Sequence, residues 1–167
     1  IYWLHGQQSN RFAVYFSFTA PGSLPEYNLM PGSIYHAKLC FYKGVGNLRA
    51  QFKECELSGE TYVPHFCSNL QEAASRYRET LQINPFAENV PILVENIRLS
   101  AQGKQLYIQD INNERMPVQM QETTKTDILA VTGGKPFSAF LLADANCWEL
   151  NTMWYQSNCY IWRDEHN

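Results

Sequence analysis

Residues 92–111 read Ile92-Leu93-Val94-Glu95-Asn96-Ile97-Arg98-Leu99-Ser100, then Ala101-Gln102-Gly103-Lys104, then Gln105-Leu106-Tyr107-Ile108-Gln109-Asp110-Ile111. Two runs rich in β-branched and aromatic residues, separated by a short connection with one glycine, are the signature of two strands joined by a turn. The same pattern continues toward the C-terminus. Asn112-Asn113 leads to a run at Met116–Glu122, followed by Asp127–Val131, Phe137–Ala143, Glu149–Tyr155 and Cys159–Trp162. Thr132-Gly133-Gly134-Lys135 reads as a tight hairpin, because paired glycines tolerate the positive φ of primed turns. Turn signals spaced by about eight to twelve residues fit a sandwich or a barrel rather than alternating βαβ units.

Upstream, Arg11 opens an alternation in which Phe12, Val14, Phe16 and Phe18 point one way and Ala13, Tyr15 and Ser17 the other. That is a half-buried strand at period two. Breaks at Ala20-Pro21-Gly22-Ser23 and Met30-Pro31-Gly32-Ser33 precede a second strand, Ile34–Tyr42. Lys43-Gly44-Val45-Gly46-Asn47 then turns into a third, running to about Leu57. One segment has helical spacing. Leu70, Ala73, Ala74, Tyr77 and Leu81 form a stripe, Ser68 and Gln71 suit a capping box, and Asn84-Pro85 stops it. The expected fold is therefore mainly β: an antiparallel sandwich or barrel of about ten strands with a single mid-chain helix at about 68–83.

The chain has 167 residues, 45% of them hydrophobic, and a net charge of −3. That length suits one β-rich domain spanning 1–167. No stretch approaches the roughly 20 apolar residues of a spanning helix, so no membrane span is expected. A near-neutral balance argues against nucleic acid, and against a duplex above all, because phosphate binding requires concentrated positive charge. Asn and Gln number 24 against 6 Lys, and aromatics number 23, so the surface should be polar-neutral, with Tyr and Trp supplying contact area. A chain beginning at Ile1 reads as a mature chain freed of its leader, or as an excised domain.

Cys40, Cys55, Cys67, Cys147 and Cys159 form no C-x-x-C pair, so zinc-ribbon and thioredoxin spacings are both missing. Cys40 and Cys55 fall in neighbouring expected strands, and Cys147 and Cys159 flank the last hairpin. Two disulfides among these four, with Cys67 odd, imply a secreted, extracellular or lumenal home. The alternative is five reduced thiols, some of them buried in a core.

Cys67 lies just before the expected helix, whose dipole lowers a nearby thiol pKa, and His65 is a candidate base. Together they give a Cys–His thiol-enzyme reading. As zinc ligands His65 and Cys67 would need two more donors that nothing local supplies, and His36 and Cys40 sit too far apart on a strand. No metal or cofactor is expected. Glu54 and Glu56 share a strand face, but beside Lys53 they read as a solvated edge. Gly44-Val45-Gly46 lacks the third glycine of a dinucleotide motif, and Gly134-Lys135 lacks the Ser or Thr of a P-loop.

Trp148, Trp154, Tyr155, Tyr160 and Trp162 fall within fifteen residues. Such density suits either a buried hairpin or an exposed contact patch. With Ile1-Tyr2-Trp3-Leu4 as a possible edge partner, this hairpin carries the leading expectation: a non-enzymatic recognition domain that binds another protein through aromatic-bearing loops and the C-terminal hairpin. A second reading is a barrel carrier of a small apolar ligand, with Phe12, Phe16, Leu39, Phe52, Leu106 and Phe140 turned inward. The meander resembles calycin barrels, although their N-terminal Gly-x-Trp is missing and the helix sits mid-chain. The likeness concerns architecture alone.

Overall fold

The computed structural model describes residues 1–7, 11–16, 27–42 and 46–162. Among them are ten strands in two sheets and two helices, so the protein is mainly β. The chain divides into two compact units, Ile1–Pro64 and His65–Asn167. The expected break at Ala20–Ser23, most of the turn at Lys43–Asn47, Phe18 and the tail Asp164–His166 lie outside the described residues.

The first unit holds β1 (Tyr2–Gly6), β2 (Arg11–Tyr15), β3 (Ser33–Tyr42) and β4 (Arg49–Thr61) in the order β1-β2-β4-β3. The N-terminal residues find their partner in β2, antiparallel, with Tyr2 opposite Tyr15, rather than in the last hairpin. The β2–β4 ladder is short and parallel, and the Val14 N–H donates to the Leu48 carbonyl at 2.8 Å. Tyr35, Ala37, Leu39 and Phe41 do share one face of β3, paired across with Leu57, Cys55, Phe52 and Ala50. The alternation in β2 turns out differently. Tyr15, not Phe16, joins Leu29 and Phe52 in the buried cluster, with its ring edge-on to Phe52 at 4.9 Å. Phe16 is 40% exposed, with the Arg49 guanidinium 5.5 Å over its ring. Register decides this, because only the Ala13–Tyr15 side of β2 meets Tyr2, Leu4 and Ala50.

The second unit holds β5 (Val90–Gln102), β6 (Gln105–Gln109), β7 (Arg115–Gln119), β8 (Phe137–Ala143), β9 (Trp148–Tyr155) and β10 (Asn158–Ile161). β5 pairs with β8 through Val90–Ile97 and with β6 through Arg98–Gln102. A register shift between Val94 and Ile97 falls inside the β5–β8 ladder, just before β5 passes over to β6, and Asn96 there adopts φ 53°. An inserted residue bends a strand, so one long strand serves both sides of a closing sheet. β6 continues to β7, β7 runs parallel to β9 at Val118–Trp148, and β9 returns to β8. The ring β5-β6-β7-β9-β8 is therefore closed, with β10 appended to β9. Five strands in this Greek-key order, with a helix between the third and fourth, have the connectivity of an OB-type barrel. Its interior is packed with fully buried Val94, Ile97, Ile108, Val118, Ala139, Leu141, Leu150 and Met153.

α1 (Leu70–Ile83) forms where the stripe predicts it, but the cap sits one residue later. Asn69 is the N-cap and its side chain accepts from the Glu72 N–H at 2.8 Å. Glu72 in turn accepts from the Ser68 N–H and hydroxyl at 2.8 and 3.0 Å. Asn69 and Glu72, in place of Ser68 and Gln71, form a variant of the capping box in which the Glu72 carboxylate reaches back to Ser68, one residue before the N-cap. The buried Asp110 carboxylate at the end of β6 accepts from Leu70 N–H at 2.9 Å, and also from Asn112 and Glu114 N–H. One side chain thus ties the helix start to the β6–β7 turn.

α2 (Glu122–Thr132) replaces the strand expected at Asp127–Val131. Its many Thr, Ile and Val residues favour β structure locally. Thr124, Ile128 and Thr132, four residues apart, are nevertheless its buried face, and tertiary packing overrides propensity. Gly133 at φ 57° is the left-handed C-cap, its N–H bonded to the Leu129 carbonyl. The Gly133-Gly134 pair ends a helix instead of turning a hairpin.

Candidate functional site

The last hairpin turns through Gln156 and Ser157, both at positive φ, as a two-residue primed turn requires. Asn158 pairs with Tyr155, Cys159 with Trp154, Tyr160 with Met153 and Ile161 with Thr152. Beyond the strand, the Trp162 N–H donates to the Asn151 carbonyl at 2.9 Å, which fixes the parity of the ladder. Residues 158, 160 and 162 therefore bond to β9, and the backbone groups of Cys159 and Ile161 face away from it. Among the described residues no strand pairs with that outer edge.

The five aromatic residues have unequal surroundings. A register shift at Asn151 interrupts the simple alternation of β9. Trp148, Leu150 and Met153 point into the barrel as a result. Trp148 is 7% exposed, and Tyr77 of α1 meets it edge-on at 5.8 Å. Trp154 lies on the opposite face against Phe66, at 5.5 Å. Tyr155, Tyr160 and Trp162 are half-buried against the core. Tyr160 and Trp162 stack at 6.5 Å, and the Trp162 indole N–H donates to the Asp127 carboxylate of α2 at 2.8 Å.

Both partners of that bond line an open groove between α2 and β10. The groove has a volume of about 360 Å³ and is lined by Asp127, Ala130, Val131, Cys159, Tyr160, Ile161 and Trp162. Its β10 wall was legible in the sequence. Its α2 wall was not, because Asp127–Val131 reads as a strand; the i, i+4, i+8 spacing of Thr124, Ile128 and Thr132 was the signal available.

The expected disulfides are corrected by register. Cys40 lies opposite Gln51 and Cys55 opposite Ala37, on opposite faces of the sheet, because the register shift beside Lys53 reverses the parity of β4. Cys159 lies opposite Trp154, seven positions along from Cys147, or roughly 23 Å of strand. A disulfide requires Cα atoms within about 7 Å, so neither pair can bridge in this fold, and all five cysteines are free.

Cys67 is fully buried and bridges to Val94 by backbone hydrogen bonds, while His65 is exposed. Burial pushes the Cys67 thiol up to about 11, the opposite of an activated nucleophile. Burial likewise raises the thiols of Cys55, Cys147 and Cys159. Among the described residues no three His, Cys, Asp or Glu side chains gather as a metal site. Glu54 pairs with Lys38 at 3.6 Å on a solvated face, and Glu56 sits opposite His36. The candidate cavity residues of a carrier separate as well: Leu39 and Phe52 belong to one core cluster and Leu106 packs against the other. Compared with family models, curated proteins and solved structures, the chain matches none.

Proposed function

We propose that this chain is a non-enzymatic recognition protein that binds a partner protein through its C-terminal hairpin. An extended segment of the partner adds to the outer edge of β10, in the manner of strand addition, and sets an apolar side chain into the α2–β10 groove. One observation carries this reading: the unpaired backbone edge of Cys159 and Ile161 opens directly onto a groove walled by Ala130, Val131 and Trp162. Ile161 in its lining is 40% exposed. The sole carboxylate in the lining, Asp127, is already engaged by the indole, so the groove favours an apolar anchor over a cation. The reading calls for no cofactor. The strand registers remove the support that cystines would have given to an oxidising compartment.

The test is site-directed photo-crosslinking on the intact chain, with the reactive group placed at Ile161 in the groove lining. A discrete adduct should form in extract and disappear with Ala130→Arg, which fills the groove, while the melting temperature stays unchanged. An adduct that persists with the groove blocked overturns the reading.

A further inference from the structure

The hydrogen-bond parity of β10 decides which side chain of an added strand enters the groove. The backbone groups of Cys159 and Ile161 point away from β9, whereas Tyr160 bonds back to Met153. Antiparallel addition is the more stable pairing, and it bonds through the two residues that come to lie opposite Ile161 and Cys159. The residue between them lies opposite Tyr160, and its own N–H and C=O face away from β10. Directly opposed residues share a face of the sheet, so its side chain leaves the strand on the Tyr160 side.

That side faces α2. Met153, opposite Tyr160, points into the barrel core, and Tyr160, Trp162 and Val131 of α2 all pack against the same core. The Trp162 indole reaches the Asp127 carboxylate of α2 at 2.8 Å. The side chain opposite Tyr160 is therefore the one aimed into the groove of about 360 Å³. Ala130 and Val131 make its α2 wall, and the stacked rings of Tyr160 and Trp162 stand across from them. A ring suits this slot better than an aliphatic chain, because it adds edge-to-face contacts to the area that it buries. Among the described residues the lining carries one charge, Asp127, which repels an acidic anchor.

The two flanking side chains leave on the opposite face, beside Cys159 and Ile161. The β9 partners on that face are Trp154 and Thr152, and Phe66 meets Trp154 at 5.5 Å. All of these are uncharged. Uncharged β-branched flanks match them and also favour the extended backbone that strand addition requires.

We infer, resting on the reading that β10 accepts an added strand, that the ligand is an uncharged extended segment with one aromatic residue between two β-branched ones, bound antiparallel to β10. Both flanking residues donate a backbone N–H to β10, which excludes proline at either. The N–H of the aromatic residue is dispensable, since it faces away.

The experiment is fluorescence polarisation of the intact chain with a labelled peptide, Ser-Gly-Thr-Val-Phe-Val-Thr-Gly-Ser. Replacing its phenylalanine by alanine or glutamate should weaken binding about tenfold or more. Methylating the amide nitrogen of either valine should weaken it about tenfold, and methylating that of the phenylalanine less than about twofold. In the protein, Ala130→Arg should weaken binding about tenfold, and Lys104→Glu in the β5–β6 turn less than about twofold, with melting temperatures unchanged. Absence of saturable binding of this peptide by the folded chain overturns the inference. So does sensitivity to methylation at the phenylalanine alone, which would set the strand parallel. A chain that is dimeric in light scattering, and that the peptide does not dissociate, has β10 covered by a second copy and overturns it as well. The crosslinked adduct separates this inference from the reading beneath it. An Ala130→Arg-sensitive adduct without peptide binding removes only this ligand class, whereas loss of both removes both.

Discussion

The two units solve the same problem, burying apolar strands, with different success. In Ile1–Pro64 four strands form an open sheet whose buried cluster, among the described residues, is Tyr15, Leu29 and Phe52, ringed by half-exposed Tyr2, Leu4, Tyr35 and Leu39. Phe41 on its edge strand β3 and Leu57 on β4 are 57% and 50% exposed. In His65–Asn167 the sheet closes on itself and seals seventeen residues into one core. Closure removes edges and gives each inward side chain neighbours on all sides, so a shorter strand buries more. Sheet geometry, more than composition, separates the two.

Truncation should expose this difference most strongly. Leu141→Ala in the barrel, at 0% exposure, should cost about 3–4 kcal/mol. Leu39→Ala in the open sheet, only half-buried, should cost about 1–2 kcal/mol. Urea titration of both variants measures the gap; equal losses would break the contrast.

Asp110→Ala ranks next. It strands three backbone N–H groups at once and should cost about 2–3 kcal/mol, with α1 amides losing hydrogen-exchange protection first. Unchanged protection at Leu70 would show that the carboxylate is not what holds the helix to the barrel.

A smaller effect is expected at alkaline pH. Burial raises the Cys67 thiol to about 11, so the fold favours the neutral thiol. This stabilisation is complete below the ordinary thiol value near 9 and drains away as pH rises through 11, by about 3 kcal/mol in all. In the first unit burial lifts the Tyr62 phenol to about 12, which places its loss at higher pH. Denaturation curves at pH 8 to 11 on the wild type and Cys67→Ala should therefore differ in slope, and parallel curves would remove Cys67 as the source.

Much of the fold was readable in the chain. The runs at 92–100, 105–111, 137–143 and 149–155 became β5, β6, β8 and β9, because alternation and turn chemistry are local properties. The α1 stripe was equally local. What failed lay where one residue changes parity or where context overrules propensity. The register shifts beside Lys53 and Asn151 reversed which side chains face inward, and with them the cysteine pairing and the faces of the aromatic hairpin. The β-branched α2 looked like a strand, and its glycine cap like a hairpin turn.

Sequence by itself determined that this chain is mainly β, with strands of set length and a capped helix between Ser68 and Asn84. Those features follow from steric preferences within a few residues of each other. Only the tertiary structure decided that five strands close into a barrel, that a helix fills one interval, and that Val118 and Trp148 come to lie side by side. Such neighbours meet through hydrogen-bond register between distant strands, and a single inserted residue is enough to change it.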